Sequence, residues 1–385
     1  VYRRLGVTPV INCATTFTLI GGSIMEPHVA QAMADAAAAF VNINDLQAAV
    51  GRRLAELTHN EAAYVSNGAA AGLAIATAAC IAGDDPALLA RLPSDLDGMK
   101  NEVVVHRSQR NWYDIGIRMT GARLVEIGHV LQTQDWELDA AINERTAAVF
   151  YFAGPHLNRN TLPLPYVIER AHARGVPVIV DAAAQVPPVS NLWHFTRDLG
   201  ADLAVYSGGK ALRGPQNSGL CVGSADLVRK MQFAGPPNQR FGRALKVAKE
   251  TMIGLVAAVE TFVNRDHEAD ARLWGDIVDA WLGTWRSTAP SGIQMTREET
   301  LQEGVPIPRV VFRLDEAAGW HQEEWVTHLR AGDPPIEVVR SGPNGIAFTP
   351  YLLQEGEAEI VSSRVRELLE RISAPALATT SAGGA

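Results

Sequence analysis

A lysine amine, a strand-end carboxylate and a helix opening on small residues are the groups here whose types and spacing could do chemistry together. Lys210 stands in Ser207-Gly-Gly-Lys210, straight after an apolar run, and is followed by the turn-forming stretch Arg213-Gly-Pro-Gln-Asn-Ser218. An amine held there, partly desolvated and near other cations, has a lowered pKa and can form an imine with an aldehyde. Gly208 and Gly209 are expected to leave room for a flat ring, and Ser207 to offer its hydroxyl to a phosphate. Asp181 closes the apolar run Val178-Ile-Val-Asp181, 29 positions before Lys210. A carboxylate at that sheet edge, set against a pyridinium nitrogen, keeps such a ring protonated and makes it an electron sink. Ala183 points the same way and is small enough for the ring to lie against. Ser66, Asn67, Gly68 and Ala69 read as a polar cap and small residues opening a helix, whose free N–H groups and positive dipole end suit a phosphate. Taken singly, each group also has an ordinary structural reading as a cap or a solvated turn.

The elements that must position these groups follow from hydrophobic periodicity. Short apolar runs at 102–105, 123–127, 147–152, 176–180, 202–206 and 219–222 read as strands buried on both faces. Helical spacing at 45–59, 135–145 and 164–174, the last closed by Gly175, alternates with them. This pattern predicts an α/β large domain built on a mostly parallel sheet. A long helical stretch from 245 to about Trp285, broken near Asn264-Arg-Asp266, leads to strands at 309–313 and 345–348 and a last helix over 357–372. The expected division is an N-terminal segment and large domain over 1–265, a linker helix and small C-terminal α/β domain over 266–373, and a disordered tail over 374–385. Basic groups at strand ends or before the long helix complete the candidates. His106 is read as a cofactor contact, His156 as a proton donor, and Arg159, Arg243 and Lys246 as substrate contacts. Trp112, Tyr113 and Trp193, if close by, favour a less polar substrate.

Composition narrows the partners. The 385 residues are 47% hydrophobic and 20% charged, the balance of a folded globular chain. A net charge of -8 speaks against a nucleic-acid surface. Cys13, Cys80 and Cys221 have neither disulfide nor metal-type spacing. The longest apolar run, 69–83, is too short and too rich in Ala and Thr to span a membrane, which leads us to expect a cytoplasmic chain.

Strand-end Asp, then strand-end Ser-Gly-Gly-Lys, downstream of a glycine-containing helix opening and within a parallel α/β domain, is the layout of a fold type I pyridoxal-phosphate enzyme. The chain resembles, more narrowly, the branch of that superfamily with bacterial selenocysteine synthase and D-glucosaminate-6-phosphate ammonia-lyase. The resemblance rests on Val10-Ile-Asn-Cys-Ala14, the segment Ala62 to Gly72, Pro177 to Ala184, Tyr206-Ser-Gly-Gly-Lys210 with Gly214-Pro-Gln216, and Gly242 to Glu250. It implies that Lys210 carries pyridoxal 5'-phosphate as an imine, that Asp181 pairs with its ring nitrogen, and that Ser66 to Ala69 with Ser207 hold its phosphate. It also implies that Arg243 and Lys246 reach an active site at a subunit interface, in a homodimer or larger homo-oligomer. His156 stands where the lyases tend to have a histidine. The equivalent of the catalytic domain begins almost at residue 1, so the tRNA-binding module of selenocysteine synthase is expected to be absent and the substrate to be a small amino acid. The expected reaction is β-elimination, as a dehydratase or ammonia-lyase acting on a β-hydroxy amino acid or amino-sugar acid. Racemisation or epimerisation, β-replacement, and a non-enzymatic tRNA-binding or regulatory role stay open at this stage.

Overall fold

The computed structural model describes residues 1–373, and the tail expected from 374 lies outside them. After the short β1 (Ile11–Asn12) come the strands of a seven-stranded sheet. They are β2 (Ala62–Ser66), β3 (Glu102–His106), β4 (Arg123–Ile127), β5 (Thr146–Phe152), β6 (Val178–Asp181), β7 (Leu203–Ser207) and β8 (Gly219–Gly223). Their order is β2-β8-β7-β6-β5-β3-β4. Pairing is parallel from β7 through to β4 and antiparallel where β8 meets β7 and β2. The expected mostly parallel α/β architecture is present.

Every residue of β3, β5 and β6 is buried, which is why these segments are continuous Val, Ile, Ala and Phe rather than alternating. The helix Ala69–Ala82 packs on β5, β7 and β8 and is buried along nearly its whole length. Its Ala and Gly residues let it approach closely: a Cβ on Gly72 would stand 2.7 Å from Cys221 Sγ. The chain runs from β3 outward to β4 and then returns to place β5 on the other side of β3. Such a reversal marks the place, beyond the C-terminal ends of β3 and β5, where ligands of open α/β sheets generally bind.

By compactness the chain divides into two units, residues 21–265 with 302–305, and residues 1–20 with 266–301 and those from 306 onward. The second contains β9 (Ile293–Glu298), β10 (Arg309–Leu314), β11 (Ile336–Glu337), β12 (Val339–Arg340) and β13 (Gly345–Phe348). β12, β13, β10 and β9 form an antiparallel sheet in that order. The first twenty residues belong with this unit because β1 pairs in parallel with β11, Ile11 opposite Ile336. Trp281, Trp285, Phe312, Phe348 and Trp325 fill its core, with the Trp285 and Phe312 rings edge-on at 5.6 Å, a preferred aromatic geometry.

Candidate active site

Asp181 and Ser207 are the last residues of the neighbouring strands β6 and β7, and Asp181 lies across from Val205 in the ladder. Main-chain bonds carry the two strand ends on together, the Ala182 N–H donating to the Val205 carbonyl at 2.9 Å and the Ser207 N–H to the Ala183 carbonyl at 3.3 Å. Lys210 follows in a tight turn whose end is held by the Arg213 N–H donating to the Lys210 carbonyl at 2.9 Å. The Lys210 amine makes no hydrogen bond or ion pair with any described residue. Burial lowers its pKa from the ordinary lysine value, opposed by the Asp181 and Glu303 carboxylates. Burial likewise raises the Asp181 pKa, opposed by the Ala183 N–H that its Oδ1 accepts at 3.0 Å and by Lys210. A buried carboxylate and a partnerless, partly buried amine therefore face each other's field at one sheet edge.

Four buried polar atoms without a hydrogen-bond partner belong to this same edge: Asn67 Oδ1, His106 Nδ1, Ser108 Oγ and His156 Nδ1. They sit at or just past the C-terminal ends of β2, β3 and β5. Buried polar atoms are rarely left unpaired, so a group from outside the protein fits this edge as their partner. The helix Ala69–Ala82 starts at Gly68, which has φ 85° and supplies no side-chain cap, leaving the first N–H groups of the helix without one.

Some sequence expectations are corrected here. Ser66 does not cap that helix: its hydroxyl donates to the Gly68 carbonyl at 2.9 Å and is wholly buried against Cys221. The protein's own loop already leaves no room for a Cβ at Gly208 or Gly209. A Cβ on Gly208 would stand 2.0 Å from Ser218 Oγ, and one on Gly209 would stand 2.4 Å from Gln216 Cα. His106 is fully buried, its Nε2 accepting from the Leu162 N–H at 3.2 Å, and burial pushes its pKa down to about 4. It is thus a neutral group held inside the fold, with its Nδ1 left without a partner among the described residues.

Ala183 and Ser207 are half-buried at the edge with Asp181 and Lys210, and His156 lies beside Gly154 and Gln185 in the turn after β5. Arg159, Arg243 and Lys246 are exposed, and none of their charges acts on Lys210. Trp112 and Tyr113 are exposed, while Trp193 packs edge-on against His59 and beneath Arg197. Sequence reasoning missed Ser108, Gln185 and Glu303. Glu303 had no signal to find it by, since it comes 93 positions after Lys210 in a stretch without strand or helix period.

A sheet of this topology with a strand-end Asp and a lysine after the next strand defines a fold type I pyridoxal-phosphate enzyme, and pyridoxal phosphate is its cofactor. Residues 104–249 match the aminotransferase class-V family. The chain is 33% identical over 378 residues to D-glucosaminate-6-phosphate ammonia lyase of Salmonella typhimurium, covering 96% of this chain and 98% of that one. A solved structure of D-glucosaminate-6-phosphate ammonia-lyase superposes with a TM-score of 0.83 at 31% identity, over 97% of this chain and 99% of that one. The 5'-C-glycyluridine monooxygenase-decarboxylase of a Streptomyces species is 34% identical, covering 96% and 92% of the two chains. An L-seryl-tRNA(Sec) selenium transferase of Moorella thermoacetica is 25% identical, covering 95% and 83%. Within the fold type I enzymes, this chain belongs to the family that includes D-glucosaminate-6-phosphate ammonia lyase.

Proposed function

We propose that this protein is a pyridoxal-phosphate-dependent ammonia-lyase acting on an amino-sugar acid or a β-hydroxy amino acid. The observation carrying this reading is the partly buried, partnerless Lys210 amine in the field of the buried Asp181 carboxylate. When bound, pyridoxal phosphate supplies an aldehyde for that amine and an electron sink for the substrate's α-carbon. Asp181 would keep the ring nitrogen protonated, Ala183 is small enough to flank the ring, and Asn67, Ser207 and the N–H groups opening the helix Ala69–Ala82 would hold the phosphate. Lys210 would be the group placed to take up the substrate's α-proton at Nζ. His156 gives a proton to the departing β-hydroxyl, which leaves as water. The unsaturated amine released hydrolyses to a 2-keto acid and ammonia. Arg159, Arg243 and Lys246 are the cations available for the substrate's carboxylate. We place the protein in a homo-oligomer handling a small molecule.

Purified protein is expected to be yellow, and amino-sugar acids or β-hydroxy amino acids incubated with it in D2O to yield keto acid and ammonia in equal amounts. Deuterium at Cα with loss of optical activity and no keto acid overturns elimination in favour of racemisation. Oxygen uptake with release of CO2 overturns it in favour of the chemistry named for the Streptomyces relative.

A further inference from the structure

Two carboxylates act on Lys210, but only Asp181 was legible beforehand. The other, Glu303, belongs to the short segment 302–305 that groups with the sheet-bearing unit although its chain neighbours do not. Two contacts fix the segment at the catalytic edge. The Glu303 carbonyl accepts from Gln185 Nε2 at 3.3 Å, and Gln185 is a buried residue four positions past Asp181. Gly304 lies so close to Pro155, in the turn that carries His156, that a Cβ would stand 2.5 Å from the Pro155 Cγ. Gly304 also has φ +84°, a backbone conformation that favours glycine and turns the segment back on itself. Glu303 is half-buried on this segment, and among the described residues it and Asp181 are the charged groups whose fields act on the Lys210 amine. His156 is the titratable group on the adjoining turn, and Arg213, on the lysine's own loop, is committed to Glu26.

We infer that Glu303 is a positioning residue for Lys210: its carboxylate holds the ammonium that Lys210 becomes on taking up the substrate's α-proton. In that step the Cα–H bond breaks, its electron pair stays with the substrate, and the proton forms a third N–H bond on Nζ. An ammonium created at a desolvated site needs a nearby anion, or the proton returns to carbon. Asp181 cannot serve while it holds the ring nitrogen, which leaves Glu303. The inference rests on the proposed α-proton chemistry, yet it has a consequence that needs no substrate. With the negative charge gone, the free Lys210 amine loses its proton at lower pH.

The test follows the rate at which apoprotein forms an imine with added pyridoxal phosphate, read by absorbance across pH. In Glu303→Gln, and in Glu303→Ala, the midpoint is expected about half to one pH unit below that of the unchanged protein. Glu303→Asp is expected to bring it back most of the way, and Gln302→Ala, an exposed change in the same segment, to leave it in place. Midpoints of the Gln and Ala variants coinciding with that of the unchanged protein overturn the inference. A shifted midpoint in a protein that makes no keto acid supports Glu303 and rejects the elimination reading instead, so the two fail separately.

Discussion

Asp181 is a residue whose value to function and cost to the fold pull in opposite directions. Burial raises its pKa, so the fold penalises its charged form. A raised folded pKa contributes stability below the unfolded carboxylate's pKa, and that contribution is lost as pH rises through the folded value. At neutral pH the ionised side chain is therefore a net cost to the apoprotein. Asp181→Asn keeps the oxygen that accepts the Ala183 N–H and removes the charge. It is expected to stabilise the apoprotein at pH 8, with the gain vanishing near pH 3. Thermal melts of the apoprotein at the two pH values check the sign, and a variant less stable at pH 8 contradicts it. Turnover is expected to fall by roughly 100-fold or more, since a neutral amide cannot keep the ring nitrogen protonated. At this scale Lys210 and Asp181 were readable because each closes or follows an apolar run. Ser108, Gln185 and Glu303 were not, because their meaning depends on which loops meet above the strands.

The loop bearing Lys210 behaves as one element, and its glycines belong to its construction. The Gly208 N–H donates to the Ser218 carbonyl and the Gly214 N–H to the Gly208 carbonyl, both at 2.8 Å. Ser23 reaches in with its N–H and hydroxyl to the Gly209 carbonyl, and Arg213, at φ 52°, pairs with Glu26. Gly209→Ala pushes a methyl into the Gln216 backbone, which cannot move aside as a side chain can. The expected loss is about 1 to 3 kcal/mol, present equally in protein stripped of pyridoxal phosphate. Melting curves with and without cofactor decide it: a loss seen only with cofactor bound returns the glycine to the role of ring clearance. The sequence showed the turn chemistry of this loop but not its neighbours. β2 shows the same limit, for its apolar run Ala62–Ser66 is an edge strand antiparallel to β8 whose partner comes 157 residues later.

For the whole molecule, local pattern carried the parallel sheet and the helices around it, because buried strands and amphipathic helices have periods visible in a single segment. It did not carry the pairing of β1 with β11, which joins segments over 300 residues apart, nor the antiparallel sheet of the second unit beyond two of its strands. Large apolar side chains left on the surface lead to the last prediction. In the sheet-bearing unit Phe40, Val41, Trp112, Tyr113 and Ile115 are all exposed, Trp112 at 93%. Among the described residues no helix is long and apolar enough to cross a membrane. A second copy of the chain covers such side chains without new chemistry, and isologous contacts are the commonest way it does so. Light scattering on the holoprotein is therefore expected to give a dimer or a multiple of one. Trp112→Asp or Phe40→Asp is expected to weaken that association at least tenfold, with the far-ultraviolet spectrum unchanged. If the unchanged protein stays monomeric at micromolar concentration, these side chains serve something other than self-association.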